Sequence, residues 1–456
     1  MTEDLNDLTL WAVLMGVLCT AICRIVIGRW FTPATWYWVA WISCLFSYQY
    51  VLGLDMLPAP EELTINVLED AHMGAFWGFI GFSVVSRLFD VHNLSSATRM
   101  RTFDFLGTVD LKKVDLLLTF YLLVALALLG HRIATVGQVD LSFLQAARES
   151  YIGADKSTIR PLLLILPISV PLTVLLGTRV ATGKVKLHRP LFFFAICFLT
   201  AMADASRMKL LQVIALGSIV VITVMDTERG RRLHQLVKRY WVMTLIGGFG
   251  MMVVFQAIQI IRSTGSIDLL LSEPLTVLLP TNLMAYLAQG TSAMALFYEA
   301  ANGPIVGGDL TFSFPMKYGA ILGLNEVPLS KGDVFGHVLR VLDDPRVQRG
   351  GISGIGMLLT DFGPDNVWFS SLCMAGALQL IYVACIGRGF IGLTLACCSC
   401  MGALFSVLNL WFLSAPMMVG MVWSFVVARW LNIPLWETAP GRPQQVNPRQ
   451  PPLTQS

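Results

Sequence analysis

Eleven apolar runs leave this chain essentially one way to fold: they lie near residues 8–27, 35–54, 69–86, 114–130, 161–177, 190–204, 209–225, 240–261, 367–386, 389–408 and 411–428. Most reach the roughly 17 to 25 residues that a helix needs to cross the hydrocarbon of a bilayer. A helix satisfies its own backbone hydrogen bonds, so it is the form such runs take in lipid. A water-soluble fold with 55% hydrophobic and only 13% charged residues over 456 positions would need an implausibly large dry core. The expected fold class is an all-α polytopic membrane protein of about eleven transmembrane helices.

Lys and Arg near helix ends favour the cytoplasm, so the basic connections set the orientation. Residues 86–113 carry Arg87, Arg99, Arg101, Lys112 and Lys113; 178–189 carry Arg179, Lys184, Lys186 and Arg189; 226–239 carry Arg229, Arg231, Arg232, Lys238 and Arg239. These alternate correctly along the chain and put the N-terminus and residues 262–366 outside. The first run has no basic residues before it and no small-residue cleavage site after it, so it is expected to stay as a helix. The expected organisation is then helices one to eight over 1–261, a large outer loop over 262–366, helices nine to eleven over 367–428, and an inner, disordered Pro/Gln-rich tail over 429–456. The net charge of +3 follows from topology and implies no nucleic-acid partner.

Ionisable groups gather in the outer loop, among them Glu299, Asp309, Lys317, His337, Arg340, Arg346, Arg349 and Asp361. The loop reads as helical pieces over 275–298 and 328–342, broken by Asn302-Gly303-Pro304 and Gly307-Gly308, with a third piece from about Gly354 that Pro364 stops. Arg340, Arg346 and Arg349, with His337 and Lys317, form an outward cluster that can neutralise a polyanionic leaving group, unless the arginines simply pair with Asp343 and Asp344. Glu299, Asp309 and Asp361 are candidates for a general base that deprotonates a sugar hydroxyl, and His337 is a further candidate for proton transfer. Spacing does not choose among them.

Runs six and seven are separated only by Asp204-Ala205-Ser206-Arg207-Met208, which places Arg207 at a helix end. An ion pair with Asp204 would anchor that end at the interface. Alternatively the guanidinium, always charged and able to make paired hydrogen bonds, grips a lipid diphosphate there. Intramembrane acids and bases are few, which argues against a proton-coupled transporter.

Other patterns carry less. All nine cysteines lie in apolar runs, where Cys behaves as a small apolar residue, and Cys397-Cys398-Ser399-Cys400 points in several directions around a helix. No metal or other cofactor is expected. Asp361-Phe362-Gly363 matches the kinase magnesium motif without its companion motifs, and the glycine-rich stretch 350–356 does not follow a strand as a nucleotide loop would.

From about Ala203 to Leu378 the order of motifs resembles the Wzy-type oligosaccharide repeat unit polymerases. The likeness rests on Ala205-Ser206-Arg207 ending a helix, Tyr286 to Glu299 opening the outer loop, Gly307-Gly308-Asp309-Leu310-Thr311-Phe312, and Thr360-Asp361-Phe362-Gly363 entering the next run. The resemblance implies a GT-C-like multispan fold in a bacterial inner membrane, with the large loop in the periplasm. It implies an enzyme that transfers a growing glycan from undecaprenyl diphosphate to a lipid-linked repeat unit, in O-antigen, capsule or exopolysaccharide assembly. Its partners would be undecaprenyl-diphosphate-linked oligosaccharides, inner-membrane lipids, and the chain-length regulator and flippase of the same pathway. Two departures are visible: Arg207 follows Asp-Ala-Ser where a Gly-Gly or Gly-Ser pair is common, and the Tyr-Thr pair usual before Asp-Phe-Gly is missing.

Three other functions fit a chain of this kind. An O-antigen ligase differs in its acceptor. A flippase or exporter of lipid-linked oligosaccharide would favour cavity-lining charges and internal repeats, and no repeat is visible. A structural scaffold is the remaining alternative.

Overall fold

Helices follow the apolar runs. The computed structural model describes residues 2–27, 29–53, 62–88, 109–136, 160–183, 188–203, 207–227, 308–326, 354–407 and 411–433, together with Val253, Ala257, Met284, Leu287 and Ala288. The first helices are α1 (Thr2–Ile27), α2 (Pro33–Gly53), α3 (Glu62–Leu88), α4 (Leu111–Val136), the short α5 (Arg160–Ile165) continued by α6 (Ser169–Ala181), α7 (His188–Ala203) and α8 (Arg207–Thr227). Two shorter helices follow, α9 (Ser313–Ile321) and α10 (Gly354–Phe362), and then α11 (Pro364–Cys385), α12 (Gly389–Leu404) and α13 (Ala415–Trp430). No strand occurs among the described residues. The run 240–261 lies outside them except for Val253 and Ala257, both helical.

Five helical stretches are long and apolar enough to cross a membrane: Leu111–Val136, Leu162–Ala181, Met208–Asp226, Pro364–Cys385 and Gly389–Val407. The apolar helices over Asn6–Ile22, His188–Ala203 and Ala415–Trp430 are shorter. The second of the five follows the apolar run over 161–177. A 3-10 turn at Leu166–Ile168 divides it, because Pro167 has no N–H to donate and its ring crowds the preceding turn. The turn brings Pro167 and Val170 against Gly420 of α13.

Among the described residues α3 and α11 pack closely along their length. A Cβ on Gly81 would land on the Leu372 carbonyl oxygen, while Gly74 faces Ser371 and Val367, and Gly78 faces the Tyr37 hydroxyl and Ala375. Small residues let two backbones approach, which is how helices gain dispersion energy where lipid offers no hydrophobic drive. Gln379 Nε2 donates to Ser86 Oγ at 2.8 Å between the same two helices, and both residues are buried. Such a bond fixes the register of the pair.

Polar contacts mark one end of the bundle. Arg189, at the start of α7, grips the Asp115 carboxylate with two bonds of 2.7 and 2.9 Å, so α4 and α7 have their first turns side by side. Lys113 donates to the Trp430 carbonyl at 3.2 Å, bringing the last turn of α13 to that same end. Arg29 reaches the Tyr382 hydroxyl at 3.5 Å, and that hydroxyl donates to the Phe31 carbonyl at 3.2 Å. Asp226, at the end of α8, accepts from the Trp30 and Phe31 backbone beside Arg29. The starts of α8 and α13 therefore lie towards the opposite end.

Candidate functional site

At that opposite end two glycine corners meet. Gly363 has a φ of +78°, a value that glycine reaches freely and that lets the chain break α10 from α11; Pro364 then starts α11 with a φ already suited to a helix. Gly308 has a φ of +101°, and a Cβ there would sit 3.1 Å from the Phe312 ring. Its carbonyl accepts the Phe312 N–H at 2.8 Å, closing a turn over Gly308–Phe312 that leads into α9. Phe362 packs on Gly308 from the other corner.

Asp361 holds the two corners together. Its Oδ1 accepts the Leu310 N–H at 3.2 Å, and its Oδ2 accepts the Thr311 N–H at 2.6 Å and the Thr311 hydroxyl at 2.5 Å. The residue is 2% exposed, in a helix whose neighbours Ile355, Met357, Leu358 and Leu359 are buried. Burial pushes its carboxyl above the usual range, the bonds from the Thr311 side chain and from the Thr311 and Leu310 backbone oppose that rise, and nearby Asp309 adds to it. With three donors already on it, this carboxylate is committed to holding the turn. Asp309 sits at the edge of the same turn, 9% exposed.

Helix α9 connects this corner to a cavity of about 600 Å³. Tyr318 of α9 lines the cavity together with the first turns of α8 and α13 and residues of α4, α5, α6, α7 and α12. The walls are largely apolar; the polar side chains among the lining residues include Tyr121, Ser169, Thr173, Thr200, Lys209, Gln212 and Tyr318. An apolar recess with a few convergent polar groups is the usual form of a small-molecule or lipid site.

Of the residues singled out in the sequence, the structure brings Asp309 and Asp361 together. Lys317 is exposed on α9. Arg207 opens α8, at a helix end as expected. Glu299, His337, Arg340, Arg346 and Arg349 lie outside the described residues, as do the helical pieces expected over 275–298 and 328–342 apart from Met284, Leu287 and Ala288.

No protein-family profile, curated protein or solved structure matches this chain. The site is therefore read from its own chemistry. Among the described residues no three His, Cys, Asp or Glu side chains come together as a metal site, and Cys397, Cys398 and Cys400 are free and buried.

Sequence reasoning missed Lys209 and Arg132. Lys209 lines the cavity, and Arg132 of α4 is 2% exposed and close enough to act on Lys209 as a like charge. Each sits at the margin of an apolar run, where a basic residue reads as an ordinary interfacial anchor. Their juxtaposition depends on α4 and α8 meeting around the cavity, 77 positions apart in the chain, which no local pattern records. Helix α9 is not among the helical pieces that the sequence suggests; it begins five residues after the Gly307-Gly308 break.

Proposed function

We propose that the chain is a polysaccharide polymerase of a bacterial inner membrane, similar in kind to the Wzy-type enzymes. In this reading eleven helices cross the membrane, residues 262–366 form the periplasmic loop, and the tail from 429 is cytoplasmic. The observation that carries the proposal is the continuity of residues 308–321. One short segment is tied by Thr311 to the Asp361 carboxylate, presents Asp309, and covers an apolar cavity with Tyr318. A glycosyl transfer between lipid-linked sugars needs that combination: polar groups at the membrane surface beside a recess that accepts a lipid.

In the proposed reaction a hydroxyl of the acceptor sugar attacks the anomeric carbon of the donor glycan. The new glycosidic C–O bond forms as the bond to the diphosphate oxygen breaks, and undecaprenyl diphosphate leaves with the electron pair. Asp309 takes the hydroxyl proton. Asp361 is a positioning residue, since its oxygens already accept three hydrogen bonds. Arg207, Arg340, Arg346, Arg349 and Lys317 are assigned to the departing diphosphate, where negative charge grows in the transition state. Glu299 and His337 remain in the proposed site as further proton-transfer groups.

Deletion of the gene tests this reading. The polymerase account expects surface glycan of single-repeat length, with long chains restored by the intact gene. Lipid-linked units held on the cytoplasmic face would instead identify a flippase, and loss of all transfer to the final acceptor with polymer still made would identify a ligase.

A further inference from the structure

Helix α9 turns an apolar stripe outward. From its N-cap to its C-cap, Phe312, Pro315, Tyr318 and Leu322 recur at intervals of three or four residues, so they share one side of the helix, and all four are exposed. Leu324 follows just past the helix end; it is 78% exposed and Leu322 73%. The local sequence enforces this presentation. Gly323 takes a φ of +72°, which lets its N–H reach the Ala320 carbonyl at 3.0 Å and the Leu324 N–H reach the Gly319 carbonyl at 2.9 Å. Across a cap of this kind the residue after the glycine packs back on the last turn, but here it meets Gly319, which has no side chain to cover Leu324. Asn325 Nδ2 donates to the Met316 carbonyl at 3.0 Å and holds the hook closed. Apolar side chains gathered on one exposed side mark a contact surface.

What covers the stripe follows from where the helix sits. Its leading turn is tied at Leu310 and Thr311 to Asp361, three positions before α11 begins at Pro364. Tyr318 meets the first turns of α8 and α13 at the cavity. Helix α9 is thus held at two points at the level where apolar helices begin, which is the surface of a bilayer. Leu164 and Pro416 border the same cavity and are exposed, and Leu164 belongs to a stretch long enough to cross a membrane, so its exposed side faces lipid. Tyr318 continues that surface. We propose that α9 lies along the membrane surface at this end of the bundle, with Phe312, Pro315, Tyr318, Leu322 and Leu324 set into the boundary between headgroups and acyl chains. The partner is the bilayer itself, and the Tyr318 ring, apolar with a polar tip, suits that boundary. Lys317, also exposed, is turned at least about 100° around the axis from every member of the helical stripe, so it stays clear of the hydrocarbon. The lipid contact fixes the depth of the turn that presents Asp309. This inference needs only a membrane-embedded chain and does not rest on the polymerase reading.

The test uses full-length protein in nanodiscs of phosphatidylethanolamine and phosphatidylglycerol, with a bimane fluorophore on Leu322→Cys, Leu324→Cys or Lys317→Cys. The parent carries Cys373→Ser, since Cys373 is an exposed native thiol, and the labelled parent supplies the background. A melting curve matching that of the parent shows each labelled protein to be folded, and positions 322 and 324 report independently. Lipid with a nitroxide near its headgroup should quench the bimanes at 322 and 324 about threefold more than aqueous iodide does, because an interfacial helix buries its apolar side roughly 5 to 10 Å into that boundary. At 317 the order should reverse. Iodide that quenches 322 and 324 as strongly as 317 overturns the proposal by placing the stripe in water. Bimanes at 322 and 324 that neither quencher reaches also overturn it, by showing that protein covers the stripe. Quenching only by a nitroxide near the acyl methyl end overturns the interfacial placement in favour of a deeper one. No measurement uses a glycan substrate, so each outcome leaves the polymerase reading to its own test.

Discussion

The Asp361 carboxylate accepts both the backbone N–H of Thr311, at 2.6 Å, and its hydroxyl, at 2.5 Å, so the last turn of α10 fixes a turn fifty residues earlier in the chain. Thr311 is 5% exposed and Asp361 2%, so water does not replace either bond if it is lost. Thr311→Val removes the hydroxyl at nearly constant volume and should cost about 1.5 to 3 kcal/mol, the range for a hydrogen bond to a charged group. Thr311→Ser keeps the donor and should cost little. Melting of the detergent-solubilised variants checks both, and equal stability of the two would refute the anchoring role.

The same carboxylate gives the corner a pH dependence. Burial, the largest cause, raises the folded-state value above the ordinary 3.8. A carboxyl raised by folding contributes stability that is full below its unfolded value and is lost as pH rises through its folded value. Asp361→Asn does not titrate. Wild type should therefore gain on this variant as pH falls from about 7 to about 4, read as the difference between their melting temperatures. A difference that is flat, or that shrinks in acid, contradicts the assignment.

Gly308→Ala places a Cβ 3.1 Å from the Phe312 ring at a φ of +101°. The strain should be about 1 to 3 kcal/mol, and the turn that presents Asp309 would have to shift to relieve it. Glycan should shorten while the protein remains in the membrane. Gel analysis of surface glycan beside immunoblotting of membranes reads both outcomes.

Helix contacts should differ sharply in their tolerance. Gly81→Ala puts a methyl group on the Leu372 carbonyl, a backbone atom that yields only if α3 and α11 separate, so a loss of about 1 to 3 kcal/mol is expected. Asp115→Asn removes one partner of an ion pair whose acid is 49% exposed, and should cost less than about 1 kcal/mol. Thermal unfolding of the two variants orders them.

Much of the architecture was legible because lipid forces one backbone solution on a long apolar run; α4, α8, α11 and α12 lie where the runs do. Gly363-Pro364 likewise announced the break between α10 and α11. The tie that Asp361 makes to the turn at Leu310 and Thr311 was not legible. Asp309 follows Gly308 and Asp361 lies two positions before Gly363, and only the fold shows that the Asp361 carboxylate accepts from Thr311 and Leu310. Lys209 and Arg132 escaped notice for a related reason: distance along the chain hides a neighbour that helix packing supplies.

Reconstituted synthesis tests the central claim most directly. Full-length protein in liposomes, given undecaprenyl-diphosphate-linked repeat units, should produce a ladder of lengthening glycans. Asp309→Asn, which keeps the side chain's size and removes its ability to take the acceptor proton, should lower the rate by about 100-fold or more with substrate still bound. A ladder from Asp309→Asn that grows as fast as that of the wild type would contradict the account.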